Sequence, residues 1–280
     1  MGLFLFSDRP RGALVIARTI YQCFKAKQIP RVLRKSQRSW IELNPGYRYE
    51  FWTDEDIDAY VRGEHPEVLA VFDRANGIQK ADIWRVLILY DRGGVYADLD
   101  CECLRPLDEL FSKYGTGKVL AAPEPALHGT GGALCNAFMA SPPRSALWEA
   151  WIEELRSFET ADLNRNSLGP ALLDRVARMN QDCVTVADEN DIYPYADITV
   201  DDWKTRKSAE YRKSVKMLKS GDFGGAYVVH YWFHTDFVHV HAAYRDVRSY
   251  LRHYAKLTFI AAKAESALRC LTGKTRPGKA

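Results

Sequence analysis

The chain reads as an α/β fold on three observations. Short β-branched and aromatic runs alternate with stretches of helical apolar period along most of the 280 residues. An early apolar run, ALVIARTIYQCF at 13–24, has the character of a buried first strand, the usual opening of an α/β sheet. The stretch Gly77 to Leu107 joins a nearly continuous apolar helix to a strand through Gly93-Gly94, and the rest of the chain is organised around it.

Taken in order, the first strand ends in Tyr21, Gln22 and Phe24. In open α/β sheets ligands bind outside the carboxyl ends of the strands, so an aromatic and an amide there are candidates for holding a planar base. A loop aromatic that simply closes the core is the competing reading. Ile29 to Leu43 reads as a basic amphipathic helix, and Asn44-Pro45-Gly46 as a turn. Tyr47 to Trp52 reads as the second strand. Thr53 to Asp56 resembles a capping box opening a helix through Val61.

Ile78, Ala81, Ile83, Val86, Leu87 and Tyr90 then recur at helical spacing with little polar surface left over, which predicts a mostly buried helix. Asp82 and Arg85 fall on one face of it. Glycine at 93 and 94 supplies the positive φ that a helix C-cap needs. A strand over Val95 to Leu99 sends Tyr96, Asp98 and Asp100 to one face, so two carboxylates converge at its end.

Further strands are expected at Lys118 to Pro123, Ala133 to Met139, Cys183 to Ala187 and Tyr227 to Trp232, with helices at Ser145 to Phe158 and Ser167 to Met179. A glycine-rich loop spans His128 to Gly132. Asn136, a lone amide in an apolar strand, must be hydrogen-bonded, to a ligand hydroxyl or to backbone. His230 and Trp232 close the last strand. Tyr244 to Ala280 is helical in pattern and basic, suited to an anionic membrane surface or to a solvated helix with a loose end.

Composition bounds the classes. The 39 basic and 36 acidic residues are interspersed through most of the chain, which argues against a dedicated nucleic-acid binder. Six scattered cysteines form no disulfide framework, and Cys101-Glu102-Cys103 lacks a second pair at zinc spacing. No apolar run reaches bilayer length and Met1 to Phe6 lacks a signal-peptide pattern, so a cytoplasmic protein, at most peripheral at the membrane inner face, is expected.

Two aspartates one residue apart offer hard oxygen ligands, which suit Mg²⁺ or Mn²⁺ facing a phosphate. Their context of a buried helix with Asp and Arg, a Gly-Gly turn and a Tyr resembles the DXD glycosyltransferases of family thirty-two, and more distantly the glucosylating domains of large bacterial toxins. Ser39-Trp40, Asn44-Pro45, Phe51 to Asp56, Gly169-Pro170 and His230 with Trp232 extend the resemblance across about residues 16 to 237.

The resemblance implies a GT-A fold, a mixed α/β sheet with a Rossmann-like nucleotide-binding half, with residues 1–243 as the catalytic domain and 244–280 as a helical extension. It implies a retaining hexosyltransferase, as in polysaccharide biosynthesis, using a UDP- or GDP-hexose donor and a glycan, glycolipid or protein acceptor. Asp98, Asp100 and His230 would hold Mn²⁺ (or Mg²⁺), with His234 or Thr235 as substitutes for the histidine. Asp82 and Arg85 would grip the sugar, completing a catalytic set with Asp98 and Asp100. Tyr21, Gln22, Phe24, Tyr96, Asn136 and Trp232 would flank the donor. The chain departs from the family at Ala17, Tyr21, Phe24 and Thr235-Asp236. A phosphoesterase or nucleotidyltransferase on the same aspartates, or a decayed nucleotide-sugar binder, are the alternative functions.

Overall fold

A sheet in the order β2-β1-β3-β6-β5-β7 forms the centre of the molecule. The computed structural model describes residues 15–125, 132–159, 163, 168–199, 208–233 and 244–256. Strands β1 (Thr19–Cys23), β2 (Arg48–Trp52) and β3 (Gly94–Ala97) run parallel, while β6 (Leu134–Ser141) is antiparallel to both β3 and β5 (Val119–Pro123). Strand β7 (Val184–Val186) lies parallel to β5 at the edge. The sheet is therefore mixed, with a parallel half followed by an antiparallel return. A separate ribbon pairs β4 (Cys101–Cys103) antiparallel with β8 (Val228–His230).

Alternation along the strands feeds two apolar layers. Tyr21, Tyr96 and Met139 face α2 (Asp54–Glu64), α3 (Leu69–Phe72), α4 (Gly77–Arg92), α6 (Ala146–Arg156) and α7 (Pro170–Met179). Ile20, Val95, Ala97 and Phe138 face the other way, toward Trp40 of α1 (Arg34–Leu43), α5 (Leu107–Tyr114) and Ile192 of α8 (Glu189–Ile192). A third cluster packs Leu218 of α9 (Ala209–Ser220) with Tyr231, Phe233, Val247 and Leu251 beside the ribbon. Residues 247–256 are helical, and Val247 and Leu251, about one turn apart, tie them to the body. The remainder of the expected basic extension, the glycine loop at 128–131, and His234 to Asp236 lie outside the described residues.

Several local expectations are met by their stated causes. Thr53 and Asp56 form a complete capping box, and Asn76 with Gln79 forms a second one, at the start of α4. Gly93 and Gly94 have φ of +63° and +114°. A Cβ on Gly94 would meet the Thr19 carbonyl oxygen at 2.6 Å, so only glycine lets β3 start this close to β1.

Two element boundaries differ. The first strand begins at Thr19, not in the β-branched run, and Val15 of that run is 53% exposed. Strand β3 ends at Ala97, because Asp98 N–H bonds the Ala137 carbonyl and Cys101 N–H bonds back to the Asp98 carbonyl, closing a turn over Asp98 to Cys101. The two aspartates thus bracket a turn between β3 and β4 instead of extending a strand.

The far ends of α2 and α4 are tied by a buried histidine. His65 places Nε2 2.7 Å from Asp91 and Nδ1 3.0 Å from Glu67, and Tyr60 donates its hydroxyl to the same Asp91 oxygen. Burial disfavours the imidazolium, but the Asp91 and Glu67 carboxylates outweigh it and hold the His65 pKa above its usual value.

Two outcomes follow from these contacts. Gly94→Ala is expected to destabilise the fold by about 2–4 kcal/mol, from positive-φ strain plus overlap with Thr19, read as a lower denaturant midpoint at unchanged slope. A raised native pKa means that His65 contributes stability below the ordinary histidine range, lost as pH rises through the native value. The stability gap between wild type and His65→Ala should therefore be wider at about pH 6 than at about pH 9. A gap independent of pH would show that the histidine is not held as a cation.

Candidate donor and metal site

At the carboxyl ends of β1, β2 and β3 the sheet opens into a cleft of about 620 Å³. It is lined by Phe24 and Lys25 from the loop after β1, by Gly77, Ile78 and Arg85 of α4, and by Tyr96, Asp98 and Asp100 around the turn. His230, Trp232 and Phe233 close it from the ribbon side. The end of a strand, the start of a helix and the ribbon meet here because β1 and β3 are adjacent and parallel while β6 turns back, a topological switch point.

Arg85 is the centre of its floor. The guanidinium is 7% exposed, lies 3.3 Å from Asp82 and 3.2 Å from Asp98, donates to the Asn136 carbonyl at 2.8 Å, and covers the Tyr96 ring at 4.4 Å. Burial works against its charge, but Asp98, Tyr96 and Asp82 hold its pKa well above the ordinary arginine value. Asp82 shows the opposite balance. Desolvation raises its pKa despite Arg85 and the 2.8 Å hydrogen bond that Asn136 donates to it. A Cβ on Gly169 would come within 2.9 Å of its other oxygen, so the glycine leaves that carboxylate room.

Asp98 accepts the Tyr96 hydroxyl at 2.5 Å as well as Arg85, and its carbonyl accepts Gln22 Nε2 at 3.0 Å. Gln22 is in turn fixed by the Tyr49 hydroxyl at 2.9 Å. Asp100 takes the Phe233 N–H at 2.7 Å and lies 3.1 Å from His230 Nε2. The register of the ribbon sets Cys101 opposite His230, which brings the histidine beside the turn. Burial would neutralise both Asp100 and His230, yet each stabilises the charge of the other, lowering the aspartate and raising the histidine. The His230 ring also packs against Trp232, tilted by 51° at a centroid distance of 4.2 Å, and Trp232, with φ +51°, donates Nε1–H to the Tyr195 carbonyl at 3.0 Å.

The residues fit a divalent cation. Ligand atoms of Asp100, Cys101 and His230 lie within 4.8 Å of one another, and among the described residues none is a hydrogen-bond partner for the buried His230 Nδ1. Asp98 stands next to this group, turned toward Arg85 and Tyr96. Of these donors the Asp100 carboxylate suits Mg²⁺ or Mn²⁺, and the His230 imidazole suits a transition ion. Cys101 is fully buried in β4 and its thiol faces the Ala137 carbonyl.

The expected donor residues divide into three groups. Phe24, Arg85, Tyr96, Asp98, Asp100, His230 and Trp232 line the cleft. Gln22, Asp82 and Asn136 sit one layer back and hold those residues in place. Asn136 has a side-chain carboxylate as its partner, neither of the two partners foreseen for it. Tyr21 is corrected: it is 1% exposed in the core under α4, on the opposite side of the strand from Gln22, and does not reach the cleft. Sequence reasoning missed Lys25, Gly77 and Ile78 as cleft residues, although it placed the start of α4 at 77–78, where Asn76 and Gln79 form its capping box.

Residues 30–116 match the family described as a glycosyltransferase sugar-binding region containing a DXD motif. Over those residues the chain thus resembles the sugar-binding region of a DXD glycosyltransferase, set on a mixed α/β sheet. Among characterised proteins it is similar to inositol phosphoceramide mannosyltransferase 3 of Schizosaccharomyces pombe, at 40% identity over 97 residues, 34% of this chain and 27% of that protein. Inositol phosphoceramide mannosyltransferase 1 of the same yeast is 34% identical over 147 residues, 51% of this chain and 44% of that protein. The initiation-specific alpha-1,6-mannosyltransferase of Candida albicans is 34% identical over 103 residues, 34% of this chain and 27% of that protein. The chain thus spans less than half the length of these relatives. Among solved structures, mouse xyloside xylosyltransferase 1 superposes with a TM-score of 0.49 at 12% identity, over 77% of this chain and 97% of that one.

The layer behind the cleft yields a prediction. Asn136→Asp sets a second carboxylate against Asp82, where like charges this close cannot both ionise without cost. The variant should be less stable than wild type at about pH 8, with the deficit shrinking toward about pH 5 as the pair takes up a proton. Thermal unfolding across that range checks it, and a deficit that grows on acidification would contradict the pairing.

Proposed function

We propose that the protein is a retaining, metal-dependent glycosyltransferase that moves a hexose from a nucleotide sugar to a glycan, lipid-linked or protein acceptor. The observation that carries this reading is the buried Asp82–Arg85–Asp98 array facing the Asp100–His230 pair across one cleft. The names of the similar mannosyltransferases favour mannose as the hexose, carried on a UDP- or GDP-linked donor.

Asp100 and His230 would hold the cation, with Asp98 adjoining. When bound, the cation supplies Lewis-acid charge neutralisation for a departing nucleoside diphosphate. The protein's own residues do the rest. Arg85, fixed by two carboxylates and an aromatic face, presents N–H donors and positive charge to the cleft without needing to reorganise. Tyr96 holds the Asp98 carboxylate, and Gln22 holds its backbone, so the motif is aimed before ligand arrives. Trp232 and Phe24 offer apolar walls to a base or sugar face.

Neither the thiol nor the phenol on this floor is suited to attack carbon, and the Asp98 carboxylate is engaged by Arg85 and Tyr96. Burial pushes the Cys23 thiol up to about 12, and the Tyr96 hydroxyl well above its usual value. That favours front-face transfer, in which the leaving phosphate oxygen accepts the acceptor proton and no covalent enzyme intermediate forms. We treat residues 1–243 as the catalytic unit. Among the described residues no helix is long and apolar enough to cross a membrane. The free thiols at Cys23, Cys101, Cys103, Cys135 and Cys183 suit a reducing compartment, which supports a cytoplasmic site of action.

Incubation with UDP- and GDP-hexoses and Mn²⁺ should release intact nucleoside diphosphate. Asp100→Asn, with unchanged far-UV circular dichroism, should lower that release by about a hundredfold or more. Monophosphate or inorganic phosphate as the product would point to a phosphoesterase instead, and full turnover by Asp100→Asn would refute the site.

A further inference from the structure

The loop after β1, the short 3₁₀ turn Arg31–Leu33 and α1 carry a charge pattern that the donor site does not use. Between residues 25 and 41 the chain has six basic residues and no acidic one. Lys25, Lys27, Arg31, Arg34 and Arg38 are exposed, and only Lys35 finds a carboxylate, Glu102, which also accepts the Tyr231 hydroxyl. Lys25 and Lys27 feel Asp54 and Asp56 at longer range. Elsewhere the helices neutralise their own arginines at i,i+4, as in Asp58–Arg62, Glu109–Arg105 and Asp174–Arg178.

Here the spacing does the reverse. Arg31 precedes Lys35 by four residues and Arg34 precedes Arg38 by four, so neighbouring turns repel. Val32, Leu33, Ser36 and Trp40 point inward, which leaves Arg31, Arg34 and Arg38 along the outer face together with Ile41, 44% exposed. The same segment is the cleft wall, since Phe24, Lys25 and Leu33 line it, and Ile78, 48% exposed, stands across the opening.

From this we infer that the outer face of Arg31–Arg38 docks the protein on an anionic lipid surface, with the mouth of the cleft beside the headgroups. An extended plane of negative charge relieves all the like-charge contacts at once, and exposed Ile41 and Ile78 suit the headgroup boundary. This surface is separate from the C-terminal segment read from the sequence as a membrane contact. It does not depend on the transferase reading, because vesicle binding is measured without turnover.

The test is sedimentation of the full chain with phosphatidylcholine vesicles, with and without phosphatidylglycerol. Wild type should pellet only with the anionic vesicles, and less as salt rises. Arg31→Glu/Arg34→Glu/Arg38→Glu, with an unchanged thermal transition, should bind them at least about a hundredfold more weakly, while hydrolysis of a soluble donor is unaffected. Undiminished binding by the triple variant would overturn the proposal and leave the C-terminal segment as the contact. Equal binding to neutral vesicles, or equally tight binding to heparin, would overturn it too.

Discussion

Everything at the cleft depends on one buried cation. Arg85 sits between Asp82 and Asp98 on the tyrosine face, and an arginine this deep survives only because every direction is answered by a carboxylate, a carbonyl or a ring. Removing either aspartate would strand a buried charge, at a cost of about 3–5 kcal/mol. The array is thus structural and functional together. It fixes the first aspartate of the motif, locks α4 to β6 through Asn136, and sets a positive point on a floor that otherwise carries carboxylates.

The second half of the site is built differently. Asp100 and His230 come from chain segments far apart, and what joins them is the short ribbon β4–β8, laid beside the main sheet and backed by the aromatic cluster of Tyr195, Phe223 and Tyr231. The buried His230 reaches Asp100 through Nε2 and leaves Nδ1 without a hydrogen-bond partner among the described residues. An arrangement with an orphaned nitrogen makes physical sense as a cation site, where a filled hydrogen-bond network would not.

Local chemistry made much of this legible in advance. The capping box at Thr53, the positive φ of Gly93 and Gly94, and the one-face placement of Asp82 and Arg85 all depend on nearest neighbours along the chain. Errors arose where a tertiary contact decides. The run at Leu14 to Ile16 has strand composition, yet β1 starts at Thr19 because that is where β2 and β3 offer partners. Tyr21 carried the expectation of a base-stacking aromatic, but strand alternation with Gln22 turned it into the helix-covered layer.

The sequence alone determined the α/β class, the buried helix with its Asp and Arg, the glycine turn and the paired aspartates, because each follows from short-range periodicity or backbone sterics. Only the tertiary structure decided that Asp98 faces Arg85 while Asp100 faces His230, that Asn136 serves Asp82, and that Lys25 and Leu33 of the basic segment line the cleft. Those outcomes depend on which strands become neighbours and on how deeply each charge is buried. Both are properties of the packed chain, and no window of sequence contains them.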